Sequence, residues 1–126
     1  MSKQVYISIS ADFIHHGIIN ILKEAAKYGE VTVGLLTDTA IAAYKKLPFM
    51  TYNERLQVIE SLKYVSNVVE QDNLDPTANI MKLKPDYVVH GDDWREGFQK
   101  PYRDNVLKCL DIIGGNVVRI WAKPQS

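Results

Sequence analysis

Bulky and polar residues alternate through Val5-Tyr6-Ile7-Ser8-Ile9, the two-residue period of a strand. Ile18, Leu22, Ala25 and Ala26 then recur at helical spacing, with Lys23, Glu24 and Lys27 on other faces and Gly29 placed to cap the helix. The same switch of period repeats along the chain. Strands are predicted at residues 4–9, 31–36, 67–70, 86–90 and 116–120. Val31-Thr32-Val33-Gly34-Leu35-Leu36 and Tyr87-Val88-Val89 are short and apolar, as parallel strands covered on both faces should be. Thr51-x-x-Glu54 matches a capping box, with Leu56, Ile59 and Leu62 following on one face. Asp75-Pro76 reads as an N-cap and first helical residue ahead of Ile80 and Leu83, and Pro85 closes that segment. Pro101 is placed to begin the last helix, where Val106, Leu110 and Ile113 align before Gly114-Gly115 ends it. Strand–helix alternation of this kind predicts an α/β, Rossmann-like fold: a doubly wound, five-stranded parallel sheet in a three-layer α/β/α arrangement.

Composition narrows this picture. The 126 residues suit a single domain, 1–126, with one core. Fifteen basic residues balance fifteen acidic ones, so no global field favours nucleic acid or an anionic membrane, and any phosphate site must be local. Cys109 is the lone cysteine, which excludes an intramolecular disulfide; its apolar-periodic surroundings point to burial rather than a catalytic thiol. No apolar run reaches the ~18 residues of a membrane span. With a strand beginning almost at the N-terminus and no room for a signal peptide, a cytoplasmic protein is expected.

Chemistry concentrates at strand ends. Asp12-Phe13-Ile14-His15-His16-Gly17-Ile18 joins the first strand to the first helix. In an open α/β sheet that junction lies where ligands bind, beside a helix N-terminus whose free N–H groups favour anions. Gly17 lets a ligand approach the backbone closely. His15 serves either as a structural hydrogen-bonder or as a catalyst, whereas His16 points elsewhere on the turn as a solvated or packing residue. Gly91-Asp92-Asp93-Trp94 follows the strand ending at His90 and should share the same rim. It is either a turn with a packed tryptophan or a polar pocket whose carboxylates meet a phosphate-bound metal. Lys45-Lys46, with Arg55 in the following helix, supplies the densest positive charge after the second strand, unless the lysines belong to a solvated loop. Thr37-Asp38 closes the second strand and is placed to cap the next helix. Trp121 and the seven tyrosines show no distinguishing spacing.

Together these segments, with Gly34-Leu35-Leu36-Thr37-Asp38 and Thr51-Tyr52-Asn53-Glu54-Arg55, make the chain resemble the cytidylyltransferase family of the nucleotidyltransferase superfamily over nearly its whole length. Tyr44-Lys45-Lys46-Leu47-Pro48 and Val89-His90-Gly91-Asp92-Asp93-Trp94 look closest to the branch found beside phosphoenolpyruvate mutase in phosphonate biosynthesis. The resemblance implies transfer of CMP from CTP, accompanied by Mg2+, to a small phosphate or phosphonate, with release of pyrophosphate. In such chemistry the protein contributes positioning and charge stabilisation. His15 and Gly17 match the family's His-x-Gly-His motif. By the same likeness Lys45 and Lys46 meet substrate phosphates and Arg55 lies at the active-site edge near a homodimer interface. Ser10, Ala11, Asp12, Phe13, Gly17, Ile18, Gly91, Asp92, Asp93 and Trp94 surround the nucleotide.

Two departures from the family pattern stand out. Ile18 occupies the second histidine position, cannot donate a hydrogen bond, and shares the apolar face of Leu22 and Ala25. Losing one preorganised donor to developing charge typically costs ~10²–10³ in rate. The family's C-terminal Gly-Ile-Ser-Thr/Ser-Thr/Ser segment, which binds triphosphate, has no counterpart in Trp121-Ala122-Lys123-Pro124-Gln125-Ser126. Two function classes are therefore expected: a cytidylyltransferase of reduced activity, or a non-catalytic nucleotide-binding or assembly domain of a phosphonate enzyme. An adenylyl-transferring relative is a third reading, which Gly91-Asp92-Asp93-Trp94 disfavours.

Overall fold

The computed structural model describes residues 3–11, 16–43, 48–90 and 99–119. The elements, in chain order, are β1 (Gln4–Ile9), α1 (His16–Ala25), β2 (Glu30–Leu36), α2 (Asp38–Ala42), α3 (Tyr52–Glu60), β3 (Asn67–Gln71), α4 (Thr77–Leu83), β4 (Tyr87–His90), α5 (Gln99–Ile113) and β5 (Asn116–Arg119). All strand pairs are parallel, in the order β3-β2-β1-β4-β5. The chain winds outward from β1 to β3, then returns to lay β4 on the other side of β1. Right-handed crossovers accordingly put α1 and α3 on one face and α4 and α5 on the other.

Side-chain packing follows from that winding. Val5, Ile7, Val33 and Leu35 pack with Leu22 and Ala25 of α1 and Ile59 of α3. Tyr6 and Val88 meet Ile80 of α4 and Val106 and Leu110 of α5. A smaller cluster of Leu36, Ala40 and Ile41 anchors α2. The expected doubly wound, three-layer fold is the one observed, with strand ends within a residue of expectation over the described residues.

Local chemistry explains several boundaries. Thr51 Oγ1 accepts the Glu54 N–H and Glu54 Oε1 accepts the Thr51 N–H, at 3.2 and 2.8 Å, completing the capping box. Gly114, at φ +81°, turns the chain out of α5 while its own N–H and that of Gly115 both donate to the Leu110 carbonyl. Lys84 adopts φ +50° after α4, and Pro85 follows.

Four expectations need correction. Gly29 does not cap α1, which ends at Ala25 and closes through a tight turn in which Lys27 and Tyr28 bond back to Glu24 and Ala25. Gly29 stands instead at the mouth of β2, where a Cβ would collide with the Lys3 carbonyl that pairs with Glu30. Pro76, rather than Asp75, immediately precedes α4; Asp75 Oδ1 accepts the Thr77 N–H at 3.0 Å, doing a cap's work one position early. Leu83 is exposed, because the chain leaves the helix at Lys84 just as the apolar row reaches it. Pro101 lies in the first turn of α5 instead of starting it, a place where a missing N–H costs no helical bond.

Candidate functional site

β1 and β4 are neighbours with Ile7 opposite Val89, so their carboxyl ends emerge side by side. The strand order reverses between these two strands, the place where an open α/β sheet parts into a ligand crevice. The predicted histidine turn leaves from the end of β1, and Gly91 follows directly on the last residue of β4. Of the predicted site residues, Ser10, Ala11, Gly17, Ile18 and Arg55 are described. Asp12, Phe13, His15, Lys45, Lys46, Gly91, Asp92, Asp93 and Trp94 lie outside the described residues.

The rim at β1 has an unusual backbone. Ala11 is fully buried at φ +59°, a left-handed conformation that costs a residue bearing a Cβ on the order of 1 kcal/mol or more. Surrounding structure must enforce it, and Arg55 is a large part of that structure. Although it is a charged residue on α3, Arg55 has 0% exposure. It stands four residues before Ile59 and so faces the sheet as Ile59 does. Its Nη1 donates to the carbonyls of Ser10 and Leu36, at 2.7 and 2.6 Å, tying together the ends of β1 and β2. Nε donates to the Met50 carbonyl at 3.2 Å, and Nη2 to Asp38 Oδ1 at 2.5 Å. Four of the five guanidinium donors are thus engaged inside the protein. The guanidinium also lies over the Tyr52 ring, 5.6 Å from its centroid. The sequence marked Arg55 as positive charge for phosphates; the structure places it beneath the rim, holding the rim's shape.

On α1, His16 is exposed and Gly17 half-buried. Ile18 packs against the core cluster beside Leu22 and Ala25, which is the apolar role its position on the helix suggested. Thr37 caps α2, its side chain accepting the Ala40 N–H at 3.2 Å, while the neighbouring Asp38 carboxylate holds Arg55. Cys109 is half-buried, and burial pushes its thiol pKa up, away from nucleophilic chemistry. Among the described residues no group of three or more His, Cys, Asp or Glu gathers to hold a metal, and no helix is long and apolar enough to cross a membrane.

One polar feature near the rim escaped the sequence reading. Gln71, at the end of β3, is buried, and its Oε1 accepts from Tyr6 Oη at 2.5 Å and Ser8 Oγ at 2.7 Å. Asn79 Nδ2 of α4 donates to Tyr6 Oη at 3.0 Å and to the Glu70 carbonyl at 2.9 Å. Burial raises the Tyr6 pKa to about 12. Gly34 makes the arrangement possible, since any Cβ there would land on the Tyr6 hydroxyl. A glycine inside an apolar strand was the available signal for such a close approach.

Comparison with known proteins agrees with this architecture. Residues 10–122 match the model of the Cytidylyltransferase-like family. The chain is 35% identical over 115 residues to an FAD synthase of Archaeoglobus fulgidus, covering 89% of this chain and 80% of that one. It is 31% identical over 96 residues to an ethanolamine-phosphate cytidylyltransferase of Arabidopsis thaliana, covering 71% of this chain but 23% of the much longer relative. A lipopolysaccharide core biosynthesis protein from Thermoplasma volcanium shares the fold over the full length of both chains, with a TM-score of 0.80 at 24% identity. With its strand order reversing between β1 and β4 and the match over most of its length, the chain belongs to the cytidylyltransferase-like family.

Proposed function

We propose that this chain transfers a cytidylyl group from magnesium-bound CTP to a small phosphate or phosphonate, releasing pyrophosphate. Support comes above all from the meeting of β1 and β4 at the switch point, with the histidine turn and Gly91-Asp92-Asp93-Trp94 leaving from their adjacent ends. An acceptor oxygen attacks the α-phosphorus; a new P–O bond forms there as the bond to the pyrophosphate oxygen breaks. The acceptor enters as an oxyanion, so no base is required. The N–H groups at the start of α1 and the side chain of His15 stabilise charge at the α-phosphate. Lys45 and Lys46 meet the acceptor's phosphate or phosphonate, and Asp92, Asp93 and Trp94 shape the nucleotide pocket. Magnesium arrives as part of the substrate. The working unit is a homodimer in the cytoplasm, and the phosphonate-pathway likeness of residues 44–48 and 89–94 favours a phosphonate acceptor.

A second reading has its own support. The FAD synthase relative is matched over most of both chains, which favours adenylyl transfer. Pyrophosphate release measured with CTP or ATP and a panel of phosphate and phosphonate acceptors separates the two. Turnover with CTP is expected, and ATP should compete poorly. Ile18→His supplies the second histidine of the family's motif and should raise the rate by up to ~10²-fold. Preference for ATP supports the second reading, whereas CTP binding without turnover in either protein supports a non-catalytic nucleotide-binding domain.

A further inference from the structure

Each carbonyl that Arg55 holds belongs to a peptide group leading into a different segment. The Met50 carbonyl shares its peptide with the N–H of Thr51, the N-cap of α3, which donates to Glu54 Oε1 at 2.8 Å. The Leu36 carbonyl shares its peptide with the N–H of Thr37, the N-cap of α2, which donates to the Gln71 carbonyl at 3.1 Å. The Ser10 carbonyl shares its peptide with the N–H of Ala11, the buried residue at φ +59°. Peptide planarity makes the two ends of each group move together. The guanidinium is planar as well, with its donors in a fixed fork, and at 0% exposure no water replaces a carbonyl that moves away. Shifting one of these peptides therefore strands a charged donor or drags the other two along.

We infer that Arg55 is a positioning residue that couples the Ser10–Ala11, Leu36–Thr37 and Met50–Thr51 peptides into one opening unit, so that a nucleotide bound at the end of β1 also fixes the caps of α2 and α3. The nucleotide half rests on the site proposed above; the coupling itself does not. Ala11 supplies the bias. Its left-handed backbone is held rather than preferred, and a ligand seated on that rim stabilises the held form. By linkage the same free energy reaches the other two peptides, because the fork that holds all three is one rigid group. Asp38 offers a way to loosen that fork without removing it, since its carboxylate holds Nη2 and is 45% exposed.

Amide hydrogen exchange at Ala11, Thr37 and Thr51, resolved by NMR, tests both halves. Val33, fully buried in β2, marks global unfolding, and Gly114 at the end of α5 marks local opening away from Arg55. The three amides should exchange faster than Val33. Without ligand, Asp38→Asn should speed all three by one common factor of about two to five and leave Gly114 unchanged. Saturating CTP with magnesium should slow all three together in the wild type. In Arg55→Lys, which keeps the charge but cannot bridge three carbonyls, CTP should slow Ala11 alone. If that variant does not fold or bind CTP, the wild type and Asp38→Asn decide. Unequal factors in Asp38→Asn, exchange of any of the three in step with Val33, CTP binding that slows Ala11 alone in the wild type, or slowing of Thr37 and Thr51 that survives Arg55→Lys would each overturn the inference. Failure of CTP to bind the wild type, with the common factor in Asp38→Asn intact, counts against the nucleotide reading alone.

Discussion

Arg55 directs its charge inward. The sequence made its presence beside the second strand's end legible, but not its direction, because that depends on which face of α3 meets the sheet. Its buried neighbour one turn on, Ile59, was the clue. Replacing Arg55 by methionine leaves the Ser10, Leu36 and Met50 carbonyls without their donor and removes the restraint beneath Ala11. A loss of about 3–5 kcal/mol is expected in urea unfolding. Asp38→Asn should cost about 1 kcal/mol or less, since that carboxylate is 45% exposed and an amide oxygen can still accept. Tyr6 carries a second residue-level prediction. Its folded pKa of about 12 lies above the unfolded value near 10, so the folded state holds its proton longer. The associated stability is fully present below pH 10 and is lost as pH rises toward 12, by roughly 3 kcal/mol in all. Unfolding free energies measured from pH 9 to 12 should fall more steeply for the wild type than for Tyr6→Phe; parallel curves would contradict this.

Elements whose boundaries depend on local chemistry were the readable ones. The Thr51–Glu54 box, the Gly114-Gly115 stop and the apolar row of α1 all came from spacing alone, because each is satisfied within a few residues. Thr51→Ala should therefore cost about 1 kcal/mol. Gly114→Ala should cost about the same from its positive φ, since nothing lies near the added Cβ. Gly115→Ala should cost more, because its Cβ would press against Leu110 Cδ2 and the Pro85 carbonyl. Thermal denaturation of the three variants gives that order. Element starts were less readable where a proline was involved: at α4 and α5 the helix begins one residue after Pro76 and two before Pro101. Proline restricts the backbone without specifying which of its compatible positions it fills. The five residues of α2 were too short to show a period.

At the scale of the whole molecule, alternation of strand and helix was enough to predict the doubly wound sheet, because parallel strands need crossovers and crossovers have one hand. The side-by-side carboxyl ends of β1 and β4 followed from the same winding. The polar floor did not, because it joins residues 63 to 73 positions apart in β1, β3 and α4, and no local pattern marks such pairs. The carboxyl ends of β1 and β4, from which the two candidate segments leave, flank one gap. A crystal structure of the protein grown with CTP and magnesium examines that gap most directly. The expected result is density for the triphosphate at the start of α1, with the nucleoside between the carboxyl ends of β1 and β4. A nucleotide seated on any other surface, or none at saturating concentration, would contradict it.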